Sequence, residues 1–321
     1  MRLWLVWLLL LGLAACDDSK APPPATVVPQ VELPALDVPH PEVSAEPAGD
    51  YHELRQAWLE LERPTPVPSP TPAQPVTIEP AKGLPSRPLP APKPGELPAI
   101  GIIIDDIGHS LHQGQRVIAL PAPVALAILP HTQAAAKLAA EASSAGKTVM
   151  LHQPMENTAG LSIGPGGLYV GMQQEAFVHT LQDNLNSLIP LQGMNNHMGS
   201  RLTAQREAMD WSMAVLRERG LFFIDSRTTA NTQAAFAAEA AGVQHLSRDV
   251  FLDNQRTTAA IDAQFSRALQ LARKQGVALI IGHPYPQTLD YLERRLPELG
   301  YEEGVQVLSI EDLLARKYQS R

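Results

Sequence analysis

From residue 99 onward, short apolar runs alternate with stretches whose apolar residues recur every three or four positions. Residues 100–104, 124–128, 148–151, 221–224, 277–281 and 305–310 read as strands. Helical spacing fills the gaps between them. Leu138 and Ala142 lead to Gly146, and Phe177, Leu181, Leu185 and Leu188 form a stripe; Met209, Met213 and Leu216 end at Gly220, and Ile261, Phe265, Leu269 and Ala272 end at Gly276. Glycine suits a helix C-terminus because it tolerates the left-handed conformation. Uninterrupted apolar strands imply burial on both faces, hence a parallel sheet covered by helices. The repeat predicts an α/β fold, a distorted or incomplete (β/α) barrel of about seven parallel strands, over an open doubly wound sheet.

Residues 1–98 follow another pattern. Met1 and Arg2 precede an apolar run, residues 3–15, that spans only about 20 Å as a helix. That is short for a bilayer and typical of a signal peptide. Leu13-Ala14-Ala15-Cys16 resembles the lipobox of bacterial lipoproteins, which implies lipidation of Cys16, the chain's single cysteine. The remaining chain then has no thiol and forms no disulfide. Asp17 resembles an inner-membrane retention signal, so the expected location is the periplasm, membrane-anchored, with the inner membrane favoured.

Of the 30 prolines, 21 fall between Pro22 and Pro98, where sustained apolar periodicity is absent. Residues 16–98 therefore read as a lipidated cysteine followed by a disordered, extended tether. Within it Leu54, Trp58 and Leu61 recur at helical spacing, so residues 51–62 are a candidate helix for docking a protein partner. About 223 residues, 99–321, remain to fold, enough for one large core without disulfides. The net charge of −8 and the scattered Lys and Arg exclude the basic footprint of a nucleic-acid binder.

Polar chemistry sits where the strands end. Asp105 and Asp106, His131, His152, His197, Asp225, Asp253 and His283 each follow or close a strand-like run. In a parallel barrel these ends converge on the face that carries active sites. A single strand-end Asp is often only a helix cap, but seven such ends argue for a site. Histidines with adjacent carboxylates point to metal-assisted hydrolysis, since two imidazoles and a carboxylate are a frequent set for catalytic zinc. Side chains alternate along a strand, so Asp105 and Asp106 can share a face only where the strand breaks. One can then bind metal while the other handles a proton.

Ile102-Ile103-Ile104-Asp105-Asp106-Ile107-Gly108, Leu151-His152-Gln153-Pro154-Met155-Glu156, Asn196-His197-Met198-Gly199-Ser200, Phe223-Ile224-Asp225-Ser226-Arg227-Thr228 and Gly282-His283-Pro284 together resemble the divergent polysaccharide deacetylase family. That family is a branch of the NodB-like carbohydrate-esterase superfamily. The resemblance covers residues 99–314 and leaves out the tether. It implies a distorted barrel holding a divalent metal, usually zinc, that removes N-acetyl groups from an amino-sugar polymer such as peptidoglycan. By the same resemblance Asp105 is the general base, Asp106 a metal ligand, and His283 the acid that protonates the leaving amine. His152 matches the first histidine of the superfamily's His-x-x-x-His motif. The second is replaced by Glu156, so the third ligand is either Glu156 or an imidazole from another strand; His197 is preferred because zinc favours nitrogen. Asn196, Asp225, Arg227, Arg248 and Asp253 are candidates for substrate or supporting contacts. The superfamily's Arg-Pro-Tyr-type loop is absent.

The alternative to an enzyme is an inactive barrel that kept its pocket to bind an envelope glycan or to scaffold an envelope complex. A metal phosphoesterase needs a phosphate-binding arginine or helix N-terminus that the sequence does not clearly offer. Gly164-Pro165-Gly166-Gly167 lacks the strand-before, helix-after context of a phosphate cradle and reads as a lid or rim. No Gly-x-Ser-x-Gly elbow supports a serine hydrolase. Met209, Trp211 and Met213 read as core.

Overall fold

The computed structural model describes residues 96–318; the signal segment, Cys16, nearly all of the tether and the 51–62 helix lie outside them. Eight strands run parallel in one sheet: β1 (Ala99–Ile107), β2 (Ala125–Ile128), β3 (Val149–Met155), β4 (Gly193–Met198), β5 (Phe222–Asp225), β6 (His245–Ser247), β7 (Val250–Phe251) and β8 (Val277–Gly282). Their order is β6-β5-β4-β3-β2-β1-β8-β7, and a ninth, β9 (Gln306–Val307), pairs with the start of β1. The fold is thus the distorted (β/α) barrel that the pattern predicts, open between β6 and β7. At that seam the linking residues bond to the strands on either side: Arg248 N donates to Asp225 O on β5, and Asp249 N donates to Leu279 O on β8.

Helices pack outside the sheet, among them α1 (Leu111–Ala119), α2 (Ala135–Ser144), α3 (Gln174–Asn186), α4 (Arg206–Glu218), α5 (Ala234–Ala241) and α6 (Thr258–Gln275). The apolar stripes read from the sequence are their buried faces, and Trp211 packs edge-on to Phe177 at 5.5 Å. Gly146, Gly220 and Gly276 end α2, α4 and α6 with φ of +70°, +67° and +92°.

Alternation along each strand sorts two cores. Ile100, Ile102 and Ile104 of β1 face the helices, whereas Ala99 and Ile103 face the barrel interior with Ala125, Ala127, Met150, Leu279 and Ile281. The lower end of that interior is plugged by Ile310, Leu313 and Leu314 of the last helix, α9 (Ile310–Tyr318), which follows α7 (Pro286–Arg295) and α8 (Leu299–Glu303). A Cβ on Gly101 would stand 2.3 Å from Leu313 Cδ1, so this strand position must be bare for the plug to seat. Here one expectation is corrected. Residues 305–310 do not form one strand: only Gln306–Val307 pairs, and Ser309 Oγ accepts from Asp312 N at 3.1 Å, capping a helix that begins at Ile310.

Candidate metal centre

The alternation that buries Ile103, Met150 and Ile281 inside the barrel places Asp105, His152 and His283 two residues further up the same faces. Strand register does the rest, setting His152 opposite Asn195 and Pro154 opposite His197. By alternation Asp106 belongs outside. Instead the β1–β2 register shifts between Ile104 and Ile107, and Asp106 takes φ 56°, so the strand breaks where the chemistry needs both carboxylates. His131, Met198 and Arg227 adopt φ of 57°, 52° and 48° at other strand ends. Left-handed backbone at non-glycine residues is costly, and all four cases in the described residues lie at strand C-terminal ends.

Asp106, His152 and His197 converge. Asp106 Oδ1 is 3.2 Å from His152 Nε2 and 2.9 Å from His197 Nδ1, and the two nitrogens are 3.1 Å apart. Ligand atoms at about 2.0–2.1 Å from a tetrahedral zinc are about 3.3 Å from one another, so the triangle has nearly the size of one face of such a site. Asp106 Oδ1 is buried and has no hydrogen-bond partner of good geometry. An orphaned carboxylate oxygen between two imidazoles fits a divalent cation. Burial works against the Asp106 carboxylate, but the two imidazoles outweigh it and hold the group ionised well below the usual range.

Asn195 fixes the protonation pattern. Its Nδ2 donates to Asp105 Oδ1 at 2.7 Å, so its Oδ1 accepts from His152 Nδ1–H at 2.7 Å. That tautomer leaves the Nε2 lone pair of His152 aimed at the triangle. Asp105 Oδ2 lies 3.7 Å from the same Nε2 and is free to take a proton. Burial raises the Asp105 pKa, and a raised pKa makes its carboxylate the stronger base. The sequence reading missed Asn195, because β4 is polar and no apolar run marks it as a strand.

His283 is set by Asp253, whose Oδ1 is 2.8 Å from His283 Nδ1 and whose Oδ2 accepts from His283 N and Thr288 Oγ1. Burial disfavours the imidazolium, but the bond to Asp253 and the charges of Asp253, Asp105 and Asp106 together outweigh it and push the His283 pKa up to about 9. At neutral pH the ring therefore carries a proton on Nε2, 4.0 Å from Asp106 Oδ2. Phe251 stacks on one side of the ring at 6.4 Å and Tyr285 tilts against it at 5.4 Å. Arg248 lies 3.6 Å over Phe251 and Arg256 lies 3.8 Å over Tyr285. Neither aromatic ring was singled out from the sequence.

Other candidates fall outside this centre. Glu156 does not join the triangle: Oε1 accepts from Arg201 at 2.7 Å and Oε2 from Val170 N at 2.6 Å. Asn196 holds Ser226 N and Met198 O, and Asp225 accepts from Arg227 N and Thr232 Oγ1. Arg248 donates to the carbonyls of Ser226 and Arg227. None of Asn196, Asp225, Arg227 and Arg248 bonds to His283 in the structure; they shape the β5 end. His131 bonds Asn184 Oδ1 at 2.8 Å, at the exposed end of a chain that runs inward to Gln153 and the carbonyl of Gly166. A Cβ on Gly166 would stand 2.2 Å from Asn184 Oδ1, and φ is +71°, so only glycine serves there. This chain fastens residues 162–165 over a cleft of about 320 Å³ that Asp106 and His197 share with Leu129, Pro130, Ile163 and Pro165. The glycine-rich segment is thus a rim of the site.

A parallel barrel with a three-residue candidate metal site at its C-terminal face defines the class. A family model for divergent polysaccharide deacetylases matches residues 102–314, and the chain belongs to that family. It is 38% identical over 202 residues to an uncharacterized protein of Haemophilus influenzae, a match covering 62% of this chain and 72% of that one. The uncharacterized protein YibQ of Escherichia coli K12 is 35% identical over 200 residues, covering 62% of this chain and 63% of YibQ. The crystal structure of an uncharacterized protein from Agrobacterium tumefaciens C58 has the same fold, with a TM-score of 0.65 at 22% identity over 70% of this chain and 92% of that chain.

Proposed function

We propose that the protein is a metal-dependent hydrolase of the cell envelope that removes N-acetyl groups from an amino-sugar polymer, peptidoglycan or a related glycan. The observation that carries this reading is the triangle of Asp106, His152 and His197 flanked by the buried Asp105 carboxyl and by the His283 imidazole bonded to Asp253. Those three residues would hold a divalent cation, zinc by the preference of a nitrogen-rich set. Held there, a cation would supply Lewis acidity for the acetamide carbonyl and lower the pKa of water.

The chain's own residues handle the protons. Asp105, fixed through Oδ1 by Asn195, takes a proton from the attacking water on Oδ2. His283, fixed through Nδ1 by Asp253, gives its Nε2 proton to the leaving nitrogen, without which the amine departs poorly. The apolar side of the cleft excludes water from the acyl group. We further propose that Cys16 carries a lipid that anchors the barrel at the periplasmic face of the inner membrane, with the tether giving it reach to the glycan. Among the described residues no helix is long and apolar enough to cross a membrane.

Acetate release from N-acetylglucosamine polymers and from peptidoglycan, after loading with zinc, tests the reading. Release by the natural chain and its loss in Asp105→Asn supports it. Binding of glycan without release in the zinc-loaded protein would leave the inactive scaffold as the better account.

A further inference from the structure

The loop from residue 157 to 172 carries three of the five large apolar side chains exposed in the described residues: Leu161, Tyr169 and Val170. The same loop supplies Ser162, Ile163, Gly164 and Pro165 to the wall of the cleft. A tyrosine ring exposed beside a cleft suits a contact surface, because one end of it is apolar and the other tolerates water. Tyr169 lies next to that wall. A Cβ on Gly167 would meet Tyr169 Cε2 at 2.9 Å and Ile163 Cδ1 at 2.8 Å, so a bare backbone position lets the ring and the cleft-lining Ile163 close on either side. Tyr169 is nevertheless 46% exposed.

The backbone under that ring is fastened to the strands that hold the metal triangle. Glu156 N donates to Leu168 O, and Leu168 N donates to Pro154 O, both at 2.9 Å. Glu156 Oε2 accepts from Val170 N, while its Oε1 is taken by Arg201 beyond β4. The residue that replaces the second histidine of the superfamily motif therefore acts as a clamp. It ties down the backbone on either side of an exposed aromatic, and an aromatic held in place loses little entropy on binding.

We propose that Tyr169 is a platform on which a sugar ring of the polymer stacks, outside the unit whose acetamide lies at the metal centre. The proposal rests on the amino-sugar reading above and extends it to a chain of at least two units. The axial C–H face of a pyranose is weakly positive and apolar, and the face of a phenol ring carries the negative side of its quadrupole. Glu156 and Gly167 are positioning residues for that contact.

Binding of N-acetylglucosamine and its β-1,4-linked hexamer to the full chain, measured by isothermal titration calorimetry, tests it. Tyr169→Ala and Tyr169→Trp are compared at equal bound-metal content. We expect the hexamer to bind the natural protein more tightly than the monomer. Tyr169→Ala should weaken the hexamer about tenfold, or 1.4 kcal/mol, leave the monomer unchanged, and be rescued by Tyr169→Trp. Unchanged hexamer affinity in Tyr169→Ala overturns the platform and leaves the amino-sugar reading standing. If the natural protein binds neither sugar, both fall.

Discussion

The lower and upper halves of the barrel interior are built by the same strands with the same alternation, yet they do opposite work. Below, Ile103, Leu279, Ile281 and the Leu313 plug form an apolar core. Above, one or two residues further along, Asp105, His152, Asn195 and His283 are buried or half-buried polar groups that satisfy one another in pairs. The apolar half gains stability from area removed from water, which permits the polar half to bear desolvated charge and strained backbone. Position along a strand, not strand identity, separates the two roles.

Substitutions in the two halves should therefore separate catalysis from stability. The largest effect is expected above. Asp105→Asn should lower the turnover of the zinc-loaded protein by about 10²–10⁴-fold with bound metal and melting temperature nearly unchanged. Below, Leu313→Ala should destabilise the fold by about 2–5 kcal/mol in denaturant titration while the folded protein keeps its metal. Next comes Asn195→Ala, which frees the His152 tautomer; metal affinity by competition with a chelator should fall about 10–100-fold. Smaller still, and confined to pH, is Asp253→Asn. With the His283 pKa raised to about 9, its acid form is present below that value and activity falls as pH rises through it. Removing the Asp253 charge should move this basic limb toward the ordinary histidine value of about 6.5. A Leu313→Ala variant that lost metal in its folded state, or an Asp105→Asn variant that unfolded, would break the division between the halves.

What the sequence made legible follows the same division. β1, β2, β3 and β8 are apolar on both faces and stand out by composition, and their C-terminal ends named Asp105, Asp106, His152 and His283. β4 reads Gly193-Met194-Asn195-Asn196-His197-Met198 and is as buried through Asn196, but its inward face is given to chemistry, so hydrophobicity hides it. Asn195 was hidden for that reason, though a strand ending in His197 and lying next to β3 must put some residue opposite His152. Residues 305–310 resemble a strand because Val305, Val307, Leu308 and Ile310 make the run apolar, while Ser309 caps a helix. Glu156 was visible as a departure from the superfamily motif; only geometry shows both its oxygens committed to Arg201 and Val170. The turn that brings Asp106 inward is a backbone bulge with no side-chain signature.

The central claim is that the Asp106, His152 and His197 triangle holds a divalent cation. Metal content of the full chain, prepared without a histidine tag and measured by mass spectrometry beside His152→Ala and His197→Ala, tests it most directly. Near-stoichiometric zinc or a similar divalent ion in the natural protein, lost in both variants, is the predicted result. Absence of bound metal even after reconstitution with zinc, or its retention in both variants, would contradict the account.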